Sequence, residues 1–182
     1  MSQPVLISDR STRLLRIAGW SLAALLLALP AIAMQFPGSG VNWTPGDFIF
    51  AATAFGIVGG LFELAARTTR NIAYRAAVVA AVACGFLQLW ITLAVGIIGS
   101  EDDPANWTYL AVVVVALSLG LLARGAGQLA WAMRFMALLQ VAFSILHLIE
   151  GHFTVVIDLF FTALWIVAAR LFARAAAQAE AG

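Results

Sequence analysis

Four ionisable side chains near the end of the chain have types and spacings that could support chemistry. His147 and Glu150 are three residues apart and share one face of a helix, and His152 and Asp158 follow closely. Glu150 stands where a helix is expected to end, and the helix dipole disfavours a negative charge there, so capping does not explain it. Imidazole and carboxylate groups can bind a cation or exchange protons, so these four residues are candidates for metal or proton chemistry. Alternatively, these side chains only pack and form hydrogen bonds at the membrane interface.

A second group of acidic side chains lies at the starts of two predicted helices. It consists of Asp47, Glu101, Asp102 and Asp103. Carboxylates at helix starts are stabilised by the helix dipole and by capping hydrogen bonds, which alone could explain them. An acidic external mouth that attracts cations is the alternative.

These groups must be positioned by helices that cross a membrane. The chain has 182 residues, of which 63% are hydrophobic and only 10% are charged, a composition that excludes an ordinary soluble domain. At about 20 apolar residues per crossing, the length predicts six transmembrane helices in a single all-α membrane domain. The expected spans are residues 14–36, 45–66, 73–98, 104–123, 129–150 and 153–172.

The basic residues predict the orientation of the helices. All ten are arginines, and they flank alternate ends of the expected spans: Arg10, Arg13, Arg16, Arg67, Arg70, Arg75, Arg124, Arg134, Arg170 and Arg174. By the positive-inside rule, every one of these clusters and both termini lie in the cytoplasm. The four acids of the helix starts and the His147 group then lie at the outer side.

The N-terminal segment has a second interpretation. The first arginines, the apolar run 17–29 and Ala31-Ile32-Ala33 together resemble a cleavable signal peptide, which would remove residues 1–33. The apolar run continues to Phe36, which favours an uncleaved first span. Cleavage would leave five spans and an external N-terminus.

Small and amide side chains predict how the helices pack. Ala52, Gly56 and Gly60 form a small-xxx-small ladder along the second span, and such ladders allow close approach of helix backbones. Gln88 and Gln140 fall near mid-membrane, where they could hydrogen-bond across helices. We expect these residues to pack within the chain, with assembly with another chain as the alternative.

A short motif occurs twice and suggests an internal repeat. Asn42-Trp43-Thr44 and Asn106-Trp107-Thr108 each precede a helix that enters from the outer side. If the repeat is real, Gln88 and His147 occupy equivalent positions in the helices that follow.

Several segments resemble a family of small bacterial inner-membrane proteins. They are Val41-Asn42-Trp43-Thr44 with Asp47-Phe48, Ala73-Tyr74-Arg75-Ala76-Ala77, the central residues 94–106 (AVGIIGSEDDPAN), and the last span. Members of that family commonly carry WT-x-x-DF and AVGIIGSEDNPAN segments. The resemblance implies the membrane fold and a bacterial origin, and it implies no catalytic residues because the family has no assigned activity. This chain has Asp103 where the family pattern has asparagine.

The sequence limits the possible functions mainly because it lacks the motifs of several enzyme and cofactor-binding classes. The chain has no phosphate-binding loop, nucleophile elbow or Rossmann glycine pattern, and only one histidine lies within a span, so we expect no cofactor and no enzymatic activity. The arginines are explained by topology, so no nucleic-acid partner is expected. The sequence favours an accessory or assembly subunit, with the lipid bilayer, a membrane protein or a second copy as its partners. A small cation or proton transporter that uses the outer acidic cluster is the alternative.

Overall fold

The computed structural model describes residues 8–100 and 102–181, and this part of the chain forms six α-helices and no β-strand. The helices are α1 (Asp9–Ala33), α2 (Pro45–Thr68), α3 (Ile72–Ala94), α4 (Trp107–Leu122), α5 (Ala126–Ile149) and α6 (Val155–Glu180). A short 3₁₀ turn, Pro104–Asn106, precedes α4. With that turn included, all six are long and apolar enough to cross a membrane, which confirms the predicted all-α class.

The helix ends differ from the expected spans where local chemistry intervenes. Helix α1 begins at Asp9 rather than at residue 14, because Ser8 caps its N-terminus by accepting a hydrogen bond from the Ser11 amide. Helix α6 continues to Glu180 rather than ending at residue 172, since alanine, the strongest helix former, dominates its last turns. Helix α3 ends at Ala94, not residue 98, and the chain then enters a structured connection.

Helix α2 begins with the capping box that its sequence predicts. The Thr44 amide donates to Asp47 Oδ2 at 2.7 Å, and the Asp47 amide donates to Thr44 Oγ1 at 3.3 Å. Pro45 occupies the first helical position, where no amide hydrogen is needed. These contacts fix the start of α2 without any contribution from tertiary structure.

The described helices fall into two compact units, α1–α2 and α3–α6. In the α1–α2 unit, Arg16 and Arg67 both bind Glu63 Oε1, at 2.5 and 2.7 Å, and Arg70 pairs with Asp9. The Arg16–Glu63 pair links α1 to α2, and the Arg70–Asp9 pair links the start of α1 to the residues that follow α2.

The two helices of this hairpin pack through Gly59. A Cβ atom added at Gly59 would lie 2.6 Å from Cη2 of Trp20, so the indole of α1 rests directly on the α2 backbone. The contact between α1 and α2 does not use Ala52, Gly56 or Gly60, so their packing within the chain stays a prediction. All three are exposed, and a Cβ added at Gly56 or Gly60 would meet nothing within 4 Å. Within the α1–α2 unit the ladder lies on a face of α2 that α1 does not cover, because the helix contact uses the neighbouring Gly59.

The α3–α6 unit is a four-helix bundle. Asn71 donates to Gln178, Tyr74 packs edge-on against Phe172, and Cys84 Sγ approaches the Phe161 carbonyl oxygen. Sequence number rises along α3 as it falls along α6, so these helices are antiparallel. The core between the four helices contains mostly apolar side chains, among them Met133, Met136, Phe161, Trp165, Ala168 and Phe172.

The connection between α3 and α4 is held together by one buried side chain, that of Asn106. Its Oδ1 accepts hydrogen bonds from the amides of Ile97 and Ile98, and its Nδ2 donates to the carbonyls of Ile98 and Ser100. Gly99 has a positive φ of 60°, and an added Cβ would lie 2.8 Å from Asp103 Oδ2. The described part of this connection is therefore held in place by contacts that require asparagine at position 106 and glycine at position 99.

Candidate functional site

Asp158 is the centre of a buried polar network inside the α3–α6 bundle. The residue is 1% exposed and lies in the first turn of α6. Its Oδ1 accepts hydrogen bonds from Tyr109 Oη at 2.9 Å and from Gln140 Nε2 at 2.8 Å. Its Oδ2 accepts a hydrogen bond from Thr154 Oγ1 at 2.6 Å. Three donors on one carboxyl group match the acceptor-only chemistry of an ionised carboxylate.

His147 lies beside this carboxylate and contacts two of the same hydroxyl groups. It is fully buried, with Nε2 at 2.9 Å from Thr108 Oγ1. Nδ1 lies 3.4 Å from Tyr109 Oη and 3.5 Å from Thr154 Oγ1. These last two distances are longer than usual hydrogen bonds, and the Tyr109 ring also packs against the imidazole with centroids 5.2 Å apart. The hydroxyls of Tyr109 and Thr154 therefore stand between the imidazole and the carboxylate.

Two glutamines extend the network to the fourth helix. Gln88 Nε2 donates to Gln140 Oε1 at 2.6 Å, and Gln140 in turn donates to Asp158. Both amides are fully buried. The network thus joins α3 through Gln88, α4 through Tyr109, α5 through Gln140 and His147, and α6 through Asp158. Gln88 and Gln140 therefore form a hydrogen bond between helices, which is the kind of contact that the sequence predicts for both.

The network occupies one half of the bundle only. It lies toward the end at which α3 and α5 finish and α4 and α6 begin, which we call the His147 end. Among the described residues of this bundle, the buried side chains toward the other end are apolar, for example Met133, Ala169 and Phe172. The bundle therefore has a buried polar site in the half toward the His147 end and a packed apolar core in the other half.

Four buried side-chain atoms of the bundle have no hydrogen-bond partner within the described chain. They are Gln88 Oε1, Thr92 Oγ1, Thr162 Oγ1 and Trp165 Nε1. The α3 pair and the α6 pair each follow helical spacing, so they continue the polar faces that carry Gln88 and Asp158. The buried polar side chains of α3 and α6 therefore include donors and acceptors that no other side chain of the described bundle satisfies.

The structure brings together two of the four candidates predicted near the end of the chain. His147 and Asp158 share hydroxyl partners, whereas Glu150 is exposed at the C-cap of α5 and His152 is partly exposed in the following turn. In the described residues, no group of three or more His, Cys, Asp or Glu side chains is placed to hold a metal ion.

The acidic residues at the helix starts have local partners or face outward. Asp47 belongs to the capping box of α2, and Asp103 Oδ1 accepts a hydrogen bond from the Ala105 amide at 2.9 Å. An asparagine at position 103 would supply the same oxygen. Asp102 is exposed, and Glu101 lies outside the described residues.

Sequence reasoning missed the hydroxyl groups that complete the network, those of Thr108, Tyr109 and Thr154. Thr154 stands four residues before Asp158, so the two share a helical face, and this spacing was an available signal. Tyr109 offered no such signal, because only the packing of α4 against α3 and α5 brings its hydroxyl across the bundle to Asp158.

Comparison of the chain with protein-family models, curated proteins and solved structures found no match.

Proposed function

We propose that the chain is a non-enzymatic accessory or assembly subunit of a bacterial inner membrane. Its termini lie in the cytoplasm in this proposal, so the His147 end of the bundle faces outward. Six helices of transmembrane length support membrane insertion, and the alternating arginine clusters support the orientation. The bacterial assignment depends on the resemblance carried by residues 94–106.

The exposed small-residue face of α2 is the observation that carries the accessory role. Ala52, Gly56 and Gly60 are spaced by four residues and leave the helix backbone open to close approach. In a bilayer, helices associate through such faces by van der Waals packing. Lipid tails are as apolar as the side chains, so no hydrophobic effect drives the helices together. The partner is another membrane helix, either from a second copy or from a different membrane protein.

Leucine at the ladder tests this proposal. We expect Gly56→Leu and Gly60→Leu to reduce the fraction of protein recovered in complexes, since each adds a bulky side chain to the approach surface. Native mass spectrometry of protein extracted gently from its host membrane measures that fraction and the mass of any partner. Gly120→Leu, at an exposed glycine of α4, is the matched control. Unchanged recovery in both ladder variants would contradict the proposal.

Proton transport is a second candidate, favoured by the buried ionisable pair His147 and Asp158. Ionisable groups inside a membrane are costly and commonly line ion or proton pathways. The apolar packing of Met136, Trp165 and Phe172 below the network means that a complete route would require the bundle to rearrange.

Proton flux into liposomes, followed with a pH-sensitive dye, tests the second candidate. If the protein transports protons, Asp158→Asn abolishes the flux, whereas Glu150→Gln leaves it intact because Glu150 lies outside the network. Flux that is absent from the wild type, or equal in wild type and Asp158→Asn, would exclude this candidate and leave the accessory role.

A further inference from the structure

We infer that the buried network of α3–α6 is a binding site for one proton, held by His147 as the cationic partner of an ionised Asp158. The inference is independent of the accessory role and of net transport, because a proton can bind reversibly from one side of a membrane.

The first step is the charge state of Asp158. Its oxygens accept from the Tyr109 hydroxyl, the Gln140 amide and the Thr154 hydroxyl, at 2.6 to 2.9 Å. A protonated carboxyl group could donate its hydrogen only to one of the two hydroxyls, which would then have to stop donating to Asp158, whereas an ionised carboxylate accepts all three contacts as they stand. The network therefore stabilises the carboxylate anion.

A buried anion in a low-dielectric interior needs a compensating charge. Arg16, Arg67 and Arg70 form ion pairs with Glu63 and Asp9 in the α1–α2 unit, and no arginine contacts Asp158 among its hydrogen bonds named above. Within the network, His147 is the side chain that can become cationic.

The hydrogen bonds around His147 assign its protons. Thr108 Oγ1 donates its hydrogen to the Ala105 carbonyl at 2.7 Å, so toward Nε2 it acts as an acceptor, and Nε2 carries a proton. The hydroxyls of Tyr109 and Thr154 both donate to Asp158, so toward Nδ1 they also act as acceptors. A proton on Nδ1 would be shared between these two oxygens over long contacts of 3.4 and 3.5 Å, whereas an unprotonated Nδ1 would face two oxygen lone pairs. With both nitrogens protonated, the imidazolium and the carboxylate form a neutral pair bridged by two hydroxyls.

Each neighbouring element contributes defined groups to this pair. Helix α4 contributes the Tyr109 phenol, α6 contributes Asp158, and α5 adds Glu150 beyond the buried part of the helix. The turn between α5 and α6 adds His152, and α3 faces the network with the uncharged Gln88. Cys84 of α3 lies deeper, at the Phe161 carbonyl.

The His147 end provides the access route for the proton. Thr108 is only partly buried, and it contacts Nε2 directly. Binding is the addition of one proton from water to the neutral imidazole, and release is the reverse. Loss of this proton leaves an uncompensated carboxylate next to the α5–α6 turn. Two contacts hold that turn: Thr154 donates to Asp158, and the His152 amide donates to the His147 carbonyl at 2.8 Å.

Nitrogen NMR of ¹⁵N-histidine-labelled protein in lipid nanodiscs tests the assignment. The chain has two histidines, so His152→Gln leaves the signals of His147 alone. At neutral pH we expect both ring nitrogens of His147 to be protonated in this background. Asp158→Asn should cause loss of the Nδ1 proton at the same pH, because it removes the anion that stabilises the cation.

Glu150→Gln is the matched control, since it removes a nearby carboxylate that lies outside the network, and both ring nitrogens should remain protonated. A neutral imidazole in folded protein with Asp158 intact would overturn the inference, even if the Asp158 variant failed to fold. Protonation that is unchanged in a folded Asp158→Asn protein would overturn it as well.

Discussion

The hydroxyl group of Tyr109 contributes to the bundle through one hydrogen bond to a buried carboxylate. Tyr109→Phe removes that donor from Asp158 while it retains the aromatic ring, so we expect the free energy of unfolding to fall by about 1 to 2 kcal/mol. Chemical unfolding in mild detergent, followed by circular dichroism, measures the loss. Tyr74→Phe is the natural control because the Tyr74 ring packs on Phe172 and lies far from Asp158 along the bundle. Equal effects of the two variants would argue against a stabilising role for the Tyr109 hydroxyl.

Asn106 is the second residue at which a single side chain decides local structure. Asn106→Ala removes two acceptor contacts and two donor contacts, and it leaves backbone groups of the 95–100 connection without partners. At about 1 to 3 kcal/mol for each buried group left unsatisfied, we expect a loss of several kcal/mol in stability.

The duplicated triplet supplies the control for that prediction. Asn42→Ala changes the same residue type in the same local sequence, but Asn42 is exposed, so its loss should be well under 1 kcal/mol. Limited proteolysis at the 95–103 connection reports local opening directly. If the two alanine variants opened equally, the Asn106 contacts would not be what holds the connection.

At the scale of elements, Gly59 and Gly60 of α2 differ in their surroundings, because Gly59 contacts Trp20 of α1 and Gly60 does not. Gly59→Leu should weaken the packing of α1 against α2 by about 1 to 3 kcal/mol, because its side chain would overlap the Trp20 indole. Gly60→Leu should leave this packing unchanged, since the space beside Gly60 is open within the chain. The fluorescence emission of Trp20, compared in the two variants with the other tryptophans replaced by phenylalanine, measures the environment of the contact. An unshifted Trp20 emission in Gly59→Leu would contradict this account.

The same element explains why the ladder of Ala52, Gly56 and Gly60 was expected to lie inside the chain. A small-residue repeat predicts close helix approach but carries no information on which helix approaches. Trp20 selected Gly59 instead, on a different face of α2. Within the hairpin the ladder therefore remains exposed, and association with another helix, the alternative that the sequence left open, is what its surface now favours.

At the scale of the whole molecule, the arginine clusters predict which loops face outward. In a Cys84→Ser background, Ser39→Cys in the α1–α2 connection should react with a membrane-impermeant maleimide added to intact spheroplasts. Arg124→Cys in the α4–α5 connection should react only after the membrane is permeabilised. The reverse labelling pattern would invert the topology and place the His147 end of the bundle in the cytoplasm.

The sequence by itself determined the membrane class, the number of helices and much of their extent, because these follow from apolar composition and from local capping such as that of Thr44 on Asp47. It also singled out Gln88, Gln140, His147 and Asp158, since polar side chains are conspicuous within apolar helices. Tertiary structure alone decided which of them meet. Long-range packing of α4 against α3 and α5 brings Tyr109 and Thr108 to the ionisable pair. Glu150 and His152, which are close to that pair in sequence, remain at the periphery. Helical periodicity defines the faces of each helix, but the partner of each face depends on how the four helices pack together.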